Sequence, residues 1–302
     1  MRWAVATTAA LALAVGVAVS AAPQAGAAEA EAHAGRDRTA ATRAATWLAR
    51  LPTARMPVGQ QADIIVALRV AGARTTTLRP RLDRMARQAP SYARTPGAAA
   101  KIVMAAAAAG ANPARLGRVD YVARMRRGRA APGRFGTTAF DHGLAMIALR
   151  AAGRPVPRGA VTALRASRSG PGWNFDLDPG DPPDLDSTAL SVIALRAAGV
   201  GRTNPVVRSA TAWIVRARRA DGGWTSTPRT PTNANSTALA TRALLAAGRH
   251  PTPSLRYLRS LQERSGAVRH ARARPGSRVL ATIDAVTPLA GASLAAGVAP
   301  AR

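Results

Sequence analysis

The sequence predicts an all-α protein built from repeated helix pairs. Three observations predict it. A capped, Ala/Leu-rich phrase that ends in glycine recurs along the chain. Its closing glycines, Gly72, Gly110, Gly153, Gly199 and Gly248, stand 38, 43, 46 and 49 residues apart, a period that marks a repeat architecture. Strand signals are nearly absent.

The fullest copies of the phrase run Asp141–Gly153, Asp186–Gly199 and Asn235–Gly248; weaker copies end at Gly72 and Gly110. Leu190, Ile193, Ala194 and Ala197 fall at i, i+3, i+4, i+7, one face of a helix. Leu239, Arg242, Ala243 and Ala246 repeat those positions, with Arg242 where the earlier copy has Ile193. Ser187 and Ser236 sit where an N-cap is expected, since a side-chain oxygen there can accept a free N–H of the first turn. The closing glycines suit the left-handed position after a helix. A more amphipathic helix is expected at Ala41–Leu51, Pro80–Gln88, Tyr121–Arg127, Ala160–Ser167, Val207–Arg218 and Leu255–Gln262.

The 302 residues suffice for one large domain. Residues 1–28 read as a cleavable secretory signal peptide: Arg2, an apolar run from Ala4 to Ala22, then the small residues Ala25-Gly26-Ala27. Export is therefore expected, with a disordered linker at 29–37, the helical domain at 38–296 and a short tail at 297–302. No later apolar stretch is long enough for a transmembrane anchor. The chain has no cysteine, which excludes disulfides, thiolate nucleophiles and zinc–sulfur sites. The net charge is +28. Lys101 is the only lysine, so the positive charge is almost all arginine, spread over every repeat. That spread argues against specific nucleic-acid recognition, while adhesion to anionic cell-wall polymers is physically easy.

The segments after the amphipathic helices carry a second signal. Trp213-Ile214 is followed by Asp221-Gly222-Gly223-Trp224, Ala163-Leu164 by Gly170-Pro171-Gly172-Trp173, and Tyr257-Leu258 by Gln262 and Gly266. This resembles the aromatic-Leu-x-x-x-Gln … Gly-x-Trp repeat of squalene and terpene cyclases, whose α/α toroid is similar to that of protein prenyltransferases. The resemblance covers about Arg43 to Leu294 and implies an (α/α)6 toroid, with inner helices around a central cavity. Only the Tyr257 copy keeps the Gln. The stretch Leu280–Leu294 is similar to the last toroid helix of cobalamin carriers of the transcobalamin and intrinsic-factor type, and similar toroids occur in secreted actinobacterial proteins. The β domain that closes over the corrin in the carriers has no counterpart in the eight residues after Leu294.

Five of the fifteen acidic residues crowd one loop: Asp176, Asp178, Asp181, Asp184 and Asp186. Three readings stay open. Asp184-Leu185-Asp186-Ser187-Thr188-Ala189 resembles the Asp-x-Asp-Asp-Thr-Ala motif of cyclases that begin by protonating an alkene or epoxide, which implies Asp186 as proton donor with Asp184 beside it. Ser187 replaces the last Asp, and aromatic side chains to stabilise carbocations are few. Asp176, Asp178 and Asp181 could instead hold Ca²⁺, the one cofactor this loop suits, although the spacing is not that of an EF-hand. Thirdly, Asp184 and Asp186 could simply serve the N-terminus of the following helix. Prenyl transfer and thioester chemistry both lack their cysteine.

The expected function is thus a secreted, non-catalytic binding module for a small apolar or amphipathic ligand or a partner protein, with a cyclase-like enzyme as the alternative. The ligand-facing residues expected at the inner helix starts are Asp184, Asp186, Trp173, Asn235, Asp141 and His142. A module predicts that Trp173 and Trp224 pack between helices around a filled or shallow centre. A cyclase predicts a deep aromatic cavity beneath Asp186.

Overall fold

The computed structural model describes residues 22–293. The helices are α1 (Ala22–Ala49), α2 (Val58–Val70), α3 (Thr75–Ala86), α4 (Ala89–Tyr92), α5 (Pro96–Ala108), α6 (Tyr121–Arg127) and α7 (Ala139–Ala151). They continue with α8 (Arg158–Ala166), α9 (Leu185–Ala197), α10 (Pro205–Arg216), α11 (Ala234–Ala246), α12 (Thr252–Ser260) and α13 (Arg278–Leu289). A small antiparallel hairpin, β1 (Arg129–Ala131) and β2 (Arg134–Phe135), interrupts the helices between α6 and α7. The residues 1–21 of the expected signal peptide and the tail from 294 onward lie outside the described residues.

Helices α2, α5, α7, α9, α11 and α13 each pack on the next, and α13 packs back on α2. They form a closed inner ring. The phrase read from the sequence is this inner helix. It is apolar on nearly every side because it is buried on nearly every side; α9 has eleven buried residues among thirteen. Alanine lets neighbouring inner helices approach closely. The outer helices α3, α6, α10 and α12 lie against the inner helix before them, and α1 lies against α13, which closes the ring.

All five closing glycines have positive φ, from +67° to +96°, and Gly291 ends α13 in the same way at +71°. Their amides turn back onto the last turn, as in Gly199 N–H to Arg196 O at 3.1 Å. The N-caps fall three residues earlier than the sequence suggests. Asp184 caps α9 by accepting from the Ser187 amide, and Asn233 caps α11 by accepting from the Ser236 amide. Ser187 and Ser236 supply the capped N–H rather than the cap.

The segment 29–37, expected as a linker, is helical and belongs to α1. Its partners are more than two hundred residues away. Asp37 pairs with Arg259, Gln262 Nε2 donates to Ala40 O at 2.9 Å, and Arg43 Nη2 donates to Glu263 O at 2.9 Å.

The Gly-x-Trp phrases are internal braces. Trp173 and Trp224 are wholly buried. Their indole N–H groups donate to Leu164 O at 2.6 Å and Ile214 O at 2.7 Å, on the outer helices α8 and α10. Their backbone N–H groups donate to Thr188 Oγ1 and Thr237 Oγ1, both at 2.9 Å, on α9 and α11. Each Trp thus joins an outer helix to the next inner one. The glycine before it is sterically required: a Cβ on Gly223 would lie 2.7 Å from Thr237 Oγ1 and also collide with Thr232 Cγ2. Gly223→Ala is expected to cost about 1–3 kcal/mol by overpacking, read as a lower midpoint in urea denaturation with an unchanged slope.

Candidate functional site

The inner ring encloses a central cavity of ≈ 220 Å³. Apolar side chains from five of the helices form most of its wall: Val66 and Ala67, Met104, Phe140 and Leu144, Leu190, and Leu239. Ile283 and Thr287 complete it from α13. Five ionisable groups also face it: Asp63, Lys101, Asp186, Arg242 and Asp284.

Helix geometry sets their levels. Asp186 and Asn235 each stand in the first turn, two residues past the caps Asp184 and Asn233. Asn235, Leu239 and Arg242 fall at i, i+4 and i+7 on one face of α11 and all line the cavity. At 1.5 Å rise per residue, Arg242 lies roughly 10 Å along the helix from Asn235.

The polar groups form three hydrogen-bonded sets and leave two buried atoms over. Lys101 Nζ pairs with Asp63 Oδ2 at 2.6 Å. Burial works against the ammonium, but Asp63 outweighs it and the Lys101 pKa is raised. Asn235 Nδ2 donates to Asp284 Oδ2 at 2.6 Å, and His270 Nδ1 donates to Asn235 Oδ1 at 2.8 Å. Burial raises the Asp284 carboxyl above its ordinary value, against the opposing pull of Arg242 and Asn235. Asp186 Oδ2 accepts from Ser236 Oγ at 3.2 Å, while Asp186 Oδ1 is buried without a hydrogen-bond partner. Burial pushes Asp186 up to about 6; Ser236 opposes this, and Asp184 and Asp284 add to it. Arg242 is 6% exposed, and its Nε is also buried without a partner.

Of the residues the sequence singles out, the cavity brings together Asp186 and Asn235. Asp184 does not face it; its carboxylate is spent on the Ser187 amide at 2.8 Å. Trp173 is a brace between helices. Asp141 Oδ1 accepts from the Gly97 amide at 2.7 Å and so joins α7 to the start of α5. His142, expected at the cavity mouth, is completely buried behind it. Its Nδ1 accepts from the Phe135 amide and its Nε2 donates to Ala160 O, each at 3.0 Å. Burial lowers its pKa, so it is a neutral tie between β2 and α8. Asp176, Asp178 and Asp181 are exposed, and among the described residues no three His, Asp or Glu side chains form a group that could hold a metal ion. Asn174 organises this loop: Nδ2 donates to Asp178 O and Asp181 O, and Oδ1 accepts from the Asp178 amide at 2.9 Å. The loop arches over the start of α7, where Phe175 O accepts from the Ala139 amide and the Phe175 ring meets Phe140 with centroids 6.1 Å apart.

Asp63, Lys101, Arg242 and Asp284 are site residues that sequence reasoning missed. A signal for them existed: Lys101 and Arg242 are each the one charge on an apolar helix, α5 and α11, and Asp63 and Asp284 are each the one acid on α2 and α13. Lys101 is the chain's one lysine, and Arg242 is the departure from the Ile193 pattern.

Inner helices around a cavity, with an outer layer wrapped on them, define an α/α toroid. Among solved structures the chain is similar to the apo type II terpene cyclase MstE from Scytonema, with TM-score 0.63 and 14% identity over 85% of this chain and 98% of that one. It is also similar to haptocorrin in complex with Cbi (TM-score 0.56, 12% identity, 85% of this chain and 67% of that one). A third is ent-copalyl diphosphate synthase from Streptomyces platensis (TM-score 0.53, 17% identity, 78% and 50%). No protein-family model matches the sequence, and no curated protein matches it. Among the described residues no helix is long and apolar enough to cross a membrane.

Proposed function

We propose that this chain is an exported, non-catalytic toroid that holds one small amphipathic molecule in the centre of its ring. The observation that carries the reading is the cavity itself: apolar walls with a few convergent polar groups, at the axis of a closed scaffold, the usual make-up of a small-molecule site. Its volume suits a ligand well below the size of a polyprenyl chain. The strongly basic chain would suit retention at an anionic cell surface after export.

A second reading, acid-initiated cyclisation, is favoured by Asp186, which stands where the cyclase-like motif has its proton donor and is pushed up to about 6. One feature weighs against it: among the described residues Phe140 is the single aromatic side chain in the wall, too little aromatic surface to stabilise a carbocation. Trp173 and Trp224 pack between helices, as the module reading expects, but the ring centre is open, against its expectation of a filled or shallow one, and that opening is not the deep aromatic cavity expected of a cyclase.

Thermal denaturation in a homologous series of linear alcohols tests the proposal. A ligand site gives stabilisation with an optimum chain length, following mass action. Ala67→Phe, which fills the cavity, removes the optimum. No optimum in the wild type, together with conversion of an added polyprenol into a cyclic product that Asp186→Asn abolishes, would replace this reading with the cyclase.

A further inference from the structure

Arg242 is the least satisfied group in the ring. Its side chain is 6% exposed and lines the cavity, yet it makes no hydrogen bond and no ion pair within 4 Å among the described residues. A guanidinium carries five donors and stays charged. Removing such a charge from water is costly unless a partner meets it in good geometry. The acids near enough to influence it, Asp284 and Asp63, do not touch it: Asp63 is paired with Lys101, and Asp284 accepts from the neutral Asn235 amide and attracts the guanidinium only at longer range. The other ionisable groups of the cavity each have a close partner: Lys101 with Asp63, Asp284 with Asn235, and Asp186 with Ser236. The matching helix α9 has Ile193 at the equivalent turn, so packing alone does not call for an arginine there.

We propose that the molecule held in the ring is a small apolar monocarboxylate whose anion seats on the Arg242 guanidinium. A carboxylate matches the planar fork with two parallel hydrogen bonds. The apolar residues Leu239, Leu190, Leu144 and Met104 would take its hydrocarbon body. The mouth, with Asp186 Oδ1 unpartnered, suits a donor such as a hydroxyl at the far end of the ligand. The roughly 10 Å between the Asn235 and Arg242 turns limits that body to a medium-length chain or a ring or two. An amine head is the competing class, since it would seek Asp186 instead. The inference rests on the carrier reading of the ring and adds the ligand's chemical class.

Isothermal titration of the protein with octanoate, octanol and octylamine separates these ideas. The expected order is octanoate tightest by at least tenfold. Arg242→Met, which keeps length and removes charge, should lose that advantage and leave octanol unchanged. Arg242→Lys, charged but without the fork, should fall between. Octanol or octylamine binding as tightly as octanoate overturns the carboxylate assignment while leaving the carrier reading intact. If none of the three binds, and the alcohol series gives no optimum, both fall. Should Arg242→Met not fold, the order of the three ligands on the wild-type ring still decides.

Discussion

Replacing Trp173 by alanine is expected to lower stability by about 3–5 kcal/mol, the usual loss for a fully buried large aromatic side chain. For a chain of this size that is roughly a 10 °C fall in Tm. Two costs add. The cavity left by the indole sits between α8 and α9. The carbonyl of Leu164, which accepts the indole N–H at 2.6 Å, is left without that donor. Trp173→Phe separates them: most of the ring volume stays while the donor goes, so about 1–2 kcal/mol should be lost. Equal losses in the two variants, measured by calorimetry, would mean that the hydrogen bond and not the packing joins the helices.

Asp186→Asn is expected to act in the opposite direction and only above mildly acidic pH. The folded-state pKa, about 6, exceeds the ordinary 3.8. A carboxyl raised on folding contributes stability that is fully present below the unfolded pKa and is lost as pH rises through the folded pKa. At pH 7.5 the wild type therefore carries a buried carboxylate at a penalty of up to about 3 kcal/mol. Asparagine keeps an acceptor for Ser236 and carries no charge. The variant should melt roughly 5 °C higher than the wild type at pH 7.5, with the gap closing by pH 4. A variant less stable at pH 7.5 would show that the carboxylate is held by a favourable partner in solution.

The expected cost of burying the Asp186 carboxylate is a reason to regard it as functional, since a neutral residue would serve the helix equally well. The sequence already set this aspartate apart, because only the copy at Gly199 is introduced by a run of acids. The structure divides that run by task. Asp184 caps, Asp186 faces the axis, and Asp176, Asp178 and Asp181 face solvent.

The inner helices and their glycine ends were legible because both depend on local chemistry: a 3.6-residue period and a left-handed turn. The cap positions slipped by three residues because Ser187 and Ser236 have the right side chains at the wrong place, beside equally good caps at Asp184 and Asn233. Asp37, at the end of 29–37, meets Arg259 more than two hundred residues away, and nothing near that segment announces it. The charges of the cavity were hidden for a related reason. Asp63, Lys101, Arg242 and Asp284 lie on four helices and meet only when the ring closes. Trp173 and His142 were misplaced because burial, not residue type, decides whether an aromatic or imidazole serves packing or a ligand.

Ring closure through α1 and α13 has a further result. An open array of repeats loosens first at its terminal units, which have a neighbour on one side only. Here each of the six inner helices has one on both sides. The contact of Asp37 with Arg259 adds an outer seam between the first helix and α12. Entry to the axis is therefore expected at the ends of the inner helices rather than between them.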